Sequence, residues 1–236
     1  MFIVKTKKQV IGILSIIFLG LSCGALLGIT AIKSAFSVDG GKRTVIIDAG
    51  HGLPDGGTTG VGGTIEQEIN LQIAKKTEEV LRGKGFEVIM TRNDENSLAT
   101  DENSSIRKMK VEDMKKRKKM MKESGADIFL SIHMNSFPDE NVKGLRFFYS
   151  GNHPEILVLA ENMQQKISEI TGAKTYAVKT ADEDLFLMKK PPIPIILAEC
   201  GFLSNKEEEE KLKNEEYQAK LAWAIADAIE EYYMQN

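Results

Sequence analysis

Three histidines occur in the 236 residues, and two of them occupy the same kind of place. His51 follows the short apolar run Thr44–Ile47 in "TVIIDAGHGLPDGG", and His133 follows Asp127–Ile132 in "ADIFLSIHMNS". In open α/β sheets, ligands and reacting groups gather beyond the carboxyl ends of the strands, so both imidazoles can point at one site. Glu66, in "GGTIEQEINLQIAKK", stands at the expected start of a helix whose first turn can face the same rim. Two histidines and one carboxylate make a zinc set that leaves a fourth position open for water. Glu199 closes the apolar run of "PIPIILAECGFLSN". A carboxylate in that position must be partnered or hold a raised pKa.

Each residue alone has a plainer reading. A histidine after a strand is often a hydrogen-bonded core residue, and Glu66 alone fits an ordinary acid of a helix's first turn. In "EQE" both Glu66 and Glu68 are available to supply the carboxylate. Gly50, Gly52, Gly56 and Gly57 let the chain turn sharply and keep bulk away from His51. A phosphate-cradling loop does not fit, since neither a GK[ST] ending nor GxGxxG is present. Cys200 adjoins Glu199 and so should point to the opposite face of its strand, away from any nucleophile's role. His153 in "SGNHPE" sits in a turn and is the weaker histidine candidate.

The elements that must position these groups alternate short apolar runs with longer amphipathic segments, the pattern of an α/β domain with a mostly parallel twisted sheet flanked by helices in three layers. Expected strands are Thr44–Ile47, Phe86–Met90, Asp127–Ile132, Leu145–Tyr149 and Ile193–Ala198. Expected helices are Glu66–Arg82, one within Ile106–Glu123, Glu155–Thr171, and Glu215–Tyr233 with a stripe at Leu221, Ala222, Ile225, Ala228 and Ile229. In the basic run "RKMKVEDMKKRKKMMKES", Met109, Val111, Met114, Met120 and Met121 are expected to face the core while the lysines are solvated. The acidic run "KEEEEK" after Ser204 and Asn205 reads as the first turn of a capped helix.

The formal net charge is -3, and residues 1–43 contribute +5 of it (Lys5, Lys7, Lys8, Lys33, Lys42 and Arg43 against Asp39), leaving -8 on residues 44–236. An acidic globular part excludes nucleic acid as a partner, because phosphate neutralisation needs a basic face. Between Lys8 and Lys33 lie 24 uncharged residues. As a helix they span about 36 Å, enough for a bilayer core of ~30 Å. Lys5, Lys7 and Lys8 precede this stretch, which places the N-terminus in the cytoplasm and exports the remainder. Residues 1–33 are read as a membrane anchor or uncleaved signal segment, with Ala35-Phe36-Ser37 as a passable cleavage site, and 34–43 as a linker. Cys23 and Cys200 fall on either side of that boundary, so no intramolecular disulfide is expected.

Taken in order, "IIDAGHG", "EQEINLQIA" with its Glu fifteen residues after the His, "ADIFLSIHMNS" and "ILAECGFLSN" resemble the four motifs of the zinc-dependent N-acetylmuramoyl-L-alanine amidases of the amidase-3 type. The resemblance covers nearly all of 44–236 and implies a zinc amidase fold, also described as phosphorylase/hydrolase-like. It implies Zn2+ on His51, Glu66 and His133, with Glu199 in catalysis and peptidoglycan glycan-peptide strands as substrate. Asn135 and Ser136, after His133, are candidate substrate contacts by position. The turn "GLPDGGTTG" departs from the family's usual GG-x-D-x-G-A, although its Asp-Gly is kept. The compact build with one membrane segment is most similar to the sporulation amidases that act on spore cortex. Two other readings stay open: a zinc hydrolase cutting within the stem peptide, and a wall-binding domain without catalysis. A protein activator, of unknown identity, is compatible with either reading of the enzyme.

Overall fold

The computed structural model describes residues 42–101, 103–181 and 185–235. The expected membrane segment and cleavage site lie outside them. Among the described residues no helix is long and apolar enough to cross a membrane.

Six strands form one sheet: β1 Thr44–Ala49, β2 Glu87–Met90, β3 Ile128–Asn135, β4 Arg146–Tyr149, β5 Lys179–Thr180 and β6 Ile195–Phe202, in the order β2-β1-β3-β6-β4-β5. The four strands from β2 to β6 pair in parallel, whereas β4 runs antiparallel to β6 and carries β5 parallel to itself. Parallel strands covered on both faces read as near-continuous apolar runs, and "TVIIDA", "IFLSIHMN" and "IILAECGF" do so.

Alternation along the strands sorts the two faces. Val45, Ile47, Ala49, Ile128, Leu130, Ile132, Ala198 and Cys200 join the large core with α1 (Glu66–Gly83), α3 (Leu157–Thr171) and α5 (Glu215–Gln235). The alanines of α5 at 222, 224, 226 and 228 are fully buried where it packs on both α1 and α3. On the other face Ile46, Phe129 and Ile195 meet Met121 of α2 (Ile106–Glu123) in a smaller cluster. A helix on either side of the sheet gives the expected three layers. A short helix α4, Lys206–Leu212, precedes α5.

Several details differ from the sequence expectation. β1, β3 and β6 run two to four residues past the apolar stretches, so His133 and Glu199 lie within strands rather than after them. Their pairing continues because β3 and β6 keep exchanging backbone bonds through a register shift between His133 and Asn135. The two-residue β5 carried no apolar pattern to read. The third expected helix opens as a 3-10 turn, Pro154–Ile156, before α3. On α2, Val111 is exposed and Met109, Met114 and Met120 are only half-buried; the buried residues are Asp113, Arg117 and Met121. As expected, Asn205 caps α4 by accepting from Glu208 N, and the acidic run is structural. Glu208 accepts from Gly144 N and Phe202 N, while Glu209 accepts from Gly62 N and Thr64 N, tying two loops to α4.

Candidate metal centre and catalytic site

The face opposite the large core carries polar groups towards the carboxyl ends of its strands: Asp48 and Ser131, then Gly50, His133, Glu199 and Arg146. Asp48 is fully buried and accepts from Ser131 Oγ (2.5 Å) and Thr91 Oγ1 (2.8 Å), and it pairs with Arg117 of α2. Burial alone would raise this carboxyl, but Arg117 beside it holds its pKa below the usual range.

Arg117 and Arg92 then grip three consecutive carbonyls of the turn after β1. Arg92 Nε and Arg117 Nη1 donate to Ala49 O (both 2.9 Å), Arg92 Nη2 and Asn70 Nδ2 to Gly50 O (both 3.1 Å), and Arg117 Nη2 to His51 O (2.5 Å). His51 sits at φ 61, in the left-handed region that non-glycine residues seldom adopt. The guanidinium bonds offset that strain, and the turn presents the imidazole to the site. On the far side of the loop, α1 lacks a side-chain cap; Glu66 N and Gln67 N donate instead to Thr58 O and Gly56 O. The same bonds that complete the helix end therefore fix the glycine-rich loop against it.

Glu66 lands between the two histidines. His51 Nε2 lies 3.2 Å from Glu66 Oε2, and His133 Nδ1 lies 2.9 Å from Glu66 Oε1. The two imidazoles stand edge to face with centroids 4.9 Å apart. Thr58 N and Met134 N also donate to Glu66, at 2.9 and 3.2 Å. Burial works against charge on Glu66, yet His133 and His51 keep its pKa well below the ordinary carboxylate value. Among the described residues, His51, Glu66 and His133 are the one group of such ligands whose donor atoms all lie within 4.8 Å of one another. Of the two acids in "EQE", Glu66 joins this group and Glu68 is exposed.

Asp55, in the retained Asp-Gly, accepts from or shares a proton with His51 Nδ1 at 3.0 Å, leaving Nε2 to face Glu66. Burial would lower the imidazole's pKa, but Asp55 and Glu66 outweigh it and raise His51 to about 9. A carboxylate behind a ligating imidazole fixes its orientation, and losing one costs roughly 10–100-fold in metal affinity. Asp55→Ala is therefore expected to weaken metal binding about 10–100-fold with unchanged secondary structure. Calorimetric titration of metal reads this directly, and an affinity within about twofold of the parent would remove Asp55 from the site.

The donor chemistry fits a borderline-soft dication: two imidazole nitrogens and a carboxylate oxygen, with room left for a further ligand. A Cβ on Gly57 would run into Glu66 and His51, and one on Gly50 into the His133 ring, so both glycines are needed for the ligands to converge. Glu199 faces this set from the next strand, in register with His133. Its Oε2 is shut off from solvent without a hydrogen-bond partner. Burial pushes its pKa up to about 7, with His133 and His51 opposing and Glu66 adding to the rise. A carboxyl that titrates near neutrality beside a metal-capable set is suited to proton transfer.

Cys200 and His153 fall outside this cluster. Cys200 faces the large core, fully enclosed, and burial pushes its thiol far up, which removes a cysteine nucleophile. His153 bonds Glu155 Oε1 (3.2 Å) and Pro191 O (3.3 Å) and does not join the ligand cluster. Asn135 Oδ1 accepts from Ser136 N at 2.8 Å at the end of β3, and Ser136 is exposed. Residues that the sequence reading missed are Asp48, Asp55, Asn70, Arg92, Arg117 and Arg146.

The family model described as N-acetylmuramoyl-L-alanine amidase matches residues 45–231. The germination-specific N-acetylmuramoyl-L-alanine amidase of Bacillus subtilis (strain 168) is 32% identical over 194 residues, 82% of this chain and 81% of that protein. The CwlD amidase from Clostridioides difficile, solved in complex with the GerS lipoprotein, superposes with a TM-score of 0.79 at 37% identity, covering 83% of this chain and 100% of that one. The catalytic domain of CwlV, an amidase from Bacillus (Paenibacillus) polymyxa var. colistinus, gives 0.70 at 30% identity over 82% and 99% of the two chains. With its sheet order, its converging His51, Glu66 and His133 and its buried Glu199, this chain belongs to the N-acetylmuramoyl-L-alanine amidases and hydrolyses the amide linking N-acetylmuramic acid to L-alanine in peptidoglycan.

Proposed function

We propose that the chain is a zinc amidase that strips stem peptides from glycan strands of spore cortex, exported and held at the membrane by residues 1–33. The observation that carries the chemistry is the convergence of two imidazoles and a carboxylate on one point, with an unpartnered carboxyl in the neighbouring strand. His51, Glu66 and His133 would hold the zinc. When bound, zinc supplies Lewis-acid polarisation of the scissile carbonyl and lowers the pKa of water from 15.7 towards about 7. Glu199 accepts a proton from the attacking water and delivers it to the departing amine of L-alanine. Asp55 keeps the His51 ring oriented, and Arg92 and Arg117 keep its backbone turned towards the site.

The cortex assignment is supported by the likeness to the germination-specific amidase of Bacillus subtilis and to CwlD. The complex of that CwlD with the GerS lipoprotein supports a protein partner for this chain as well. Support for export and anchoring is the uncharged stretch 9–32 behind Lys5, Lys7 and Lys8.

The test is mass spectrometry of peptidoglycan fragments incubated with the full chain, with zinc and with chelator. Peptides bearing a free N-terminal L-alanine, released only with zinc, are expected. Fragments cut inside the stem would transfer the chain to the peptidase reading, and release that survives the chelator would end the zinc assignment.

Zinc and a proton compete for His51. Without metal the folded-state pKa is raised, from 6.5 to about 9, so the imidazolium's bonds to Asp55 and Glu66 stabilise the fold fully below pH 6.5. That contribution is lost as pH rises through 9. Metal binding at pH 7 is accordingly expected to release about one proton, with affinity rising roughly tenfold per pH unit up to about pH 9. Calorimetry in two buffers of different ionisation enthalpy measures the proton count.

A further inference from the structure

His133, Glu199 and Arg146 form a row across three adjacent strands. His133 is opposite Glu199 in the β3–β6 pair, and Glu199 is opposite Arg146 in the β6–β4 pair. Residues opposite one another point to the same face, so the guanidinium leaves the sheet about one strand spacing, roughly 4.8 Å, beyond the carboxyl that moves the proton.

Arg146 is held in place, and the acid opposite it is Glu199 across the strand pair, with which it makes no direct ion pair. Its guanidinium lies 4.5 Å from the Tyr176 ring centroid and 5.5 Å from that of Phe202, which fixes its plane. Its Nε is enclosed without a hydrogen-bond partner. Among the described residues no carboxylate is ion-paired with it, in contrast to Arg117, which bonds Asp48 and Asp113, and to Arg92, whose donors meet four carbonyls. Lys174 Nζ stands over the same tyrosine ring at 4.6 Å, again without a paired carboxylate among the described residues. The segment carrying both residues is fixed beside β4, with Leu145 N donating to Lys174 O (2.7 Å) and Tyr176 N to Leu145 O (3.3 Å). Two cations at one ring repel each other, and an anion arriving from outside at the half-buried guanidinium relieves that repulsion.

The direction of the substrate supplies the anion. If Glu199 serves the leaving amine as proposed, L-alanine would lie against it, and a stem running away from His51 would pass over β4, the next strand after β6. We propose that Arg146, assisted by Lys174 and Tyr176, binds the carboxylate of the stem residue that follows L-alanine, which makes the enzyme selective for stems in which that group is free rather than amidated. This rests on the amidase reading above.

The experiment compares two glycan-peptide fragments that differ only in that carboxylate, free or amidated, with the full chain loaded with zinc. The parent is expected to favour the free acid roughly 10- to 100-fold in kcat/KM, chiefly through KM. Arg146→Gln is expected to bring the ratio to within about threefold, Arg146→Lys to retain part of it, and Lys174→Gln, at an exposed position, to lower it only about two- to fivefold. Equal cleavage of both fragments by the parent overturns the proposal. So does an equal loss on both fragments in Arg146→Gln, which would make Arg146 a support for Glu199 alone. The released peptides, acid and amide, titrated calorimetrically into the same proteins, read the same discrimination without turnover. Discrimination in binding by a chain that cleaves neither fragment would count against the amidase reading and not against the subsite.

Discussion

Glu199→Gln is expected to retain the metal and lose roughly 10²–10⁴-fold in kcat/KM, the usual contribution of a positioned general acid-base group. Gln keeps the volume and the strand position but cannot accept a proton from water or return one to the amine. Metal content should hold, because the proposed ligand set is His51, Glu66 and His133 and does not include Glu199. The pH profile gives a second readout. Burial raises the folded carboxyl to about 7, and a bound cation draws it lower, so the parent should show an acid limb below pH 7 that the variant lacks. Stability should move the opposite way from activity. A carboxyl whose folded pKa is raised above 4.5 loses stability as pH climbs past that value and through 7, so the metal-free variant should melt above the metal-free parent at pH 8. Turnover within about tenfold of the parent would falsify the role given to Glu199.

The four residues that converge in the candidate site were legible because each carries a local sign. His51 and His133 follow apolar runs, Glu66 opens an amphipathic helix, and Glu199 is a lone acid in a buried strand. The scaffold that aims them was not legible to the same degree. Arg117 lies in a run of lysines whose charge pattern reads as a solvated face, and only the distant Asp48 shows why one cation of that run is fully enclosed. The signal was on the other side of the pair: an aspartate four residues into "TVIIDA" needs a buried partner. Asp55 had a sign in the retained Asp-Gly of an otherwise divergent turn. Arg146 had none, since its place beside Glu199 depends on the antiparallel register of β4 on β6, which no local pattern encodes. The strand ends were placed short for a related reason: hydrophobicity stops at the site, whereas backbone pairing continues through it.

Arg117→Ala is expected to be the most destabilising single change, by about 3–5 kcal/mol, because it removes one partner of a buried ion pair and leaves the other charged and enclosed. Asp48 keeps Thr91 and Ser131 but loses its cation; Asp113 loses Arg117 Nε at 2.9 Å; the carbonyls of Ala49 and His51 lose a donor each. For a domain of this size that corresponds to a fall in Tm of roughly 6–20 °C. The loss should grow with pH. Asp48 is held below its ordinary pKa of 3.8 chiefly by Arg117 against the effect of burial, so the pair's stabilisation is present above that value and is lost as pH falls below it. The variant should therefore differ most from the parent at neutral pH and least in acid. Arg117→Lys separates charge from geometry: an ammonium can face Asp48 but cannot at once reach Asp113, Ala49 O and His51 O, so it should recover part of the stability while metal binding stays weakened. The coupling of the two readouts decides the matter. Arg117 bonds the carbonyl of the one metal-site residue held at positive φ, so releasing it frees His51 to leave φ 61 and withdraw Nε2 from Glu66. A variant that loses less than about 1 kcal/mol by denaturant titration and binds zinc as the parent does would show that the guanidinium clamp is not what aims the histidine.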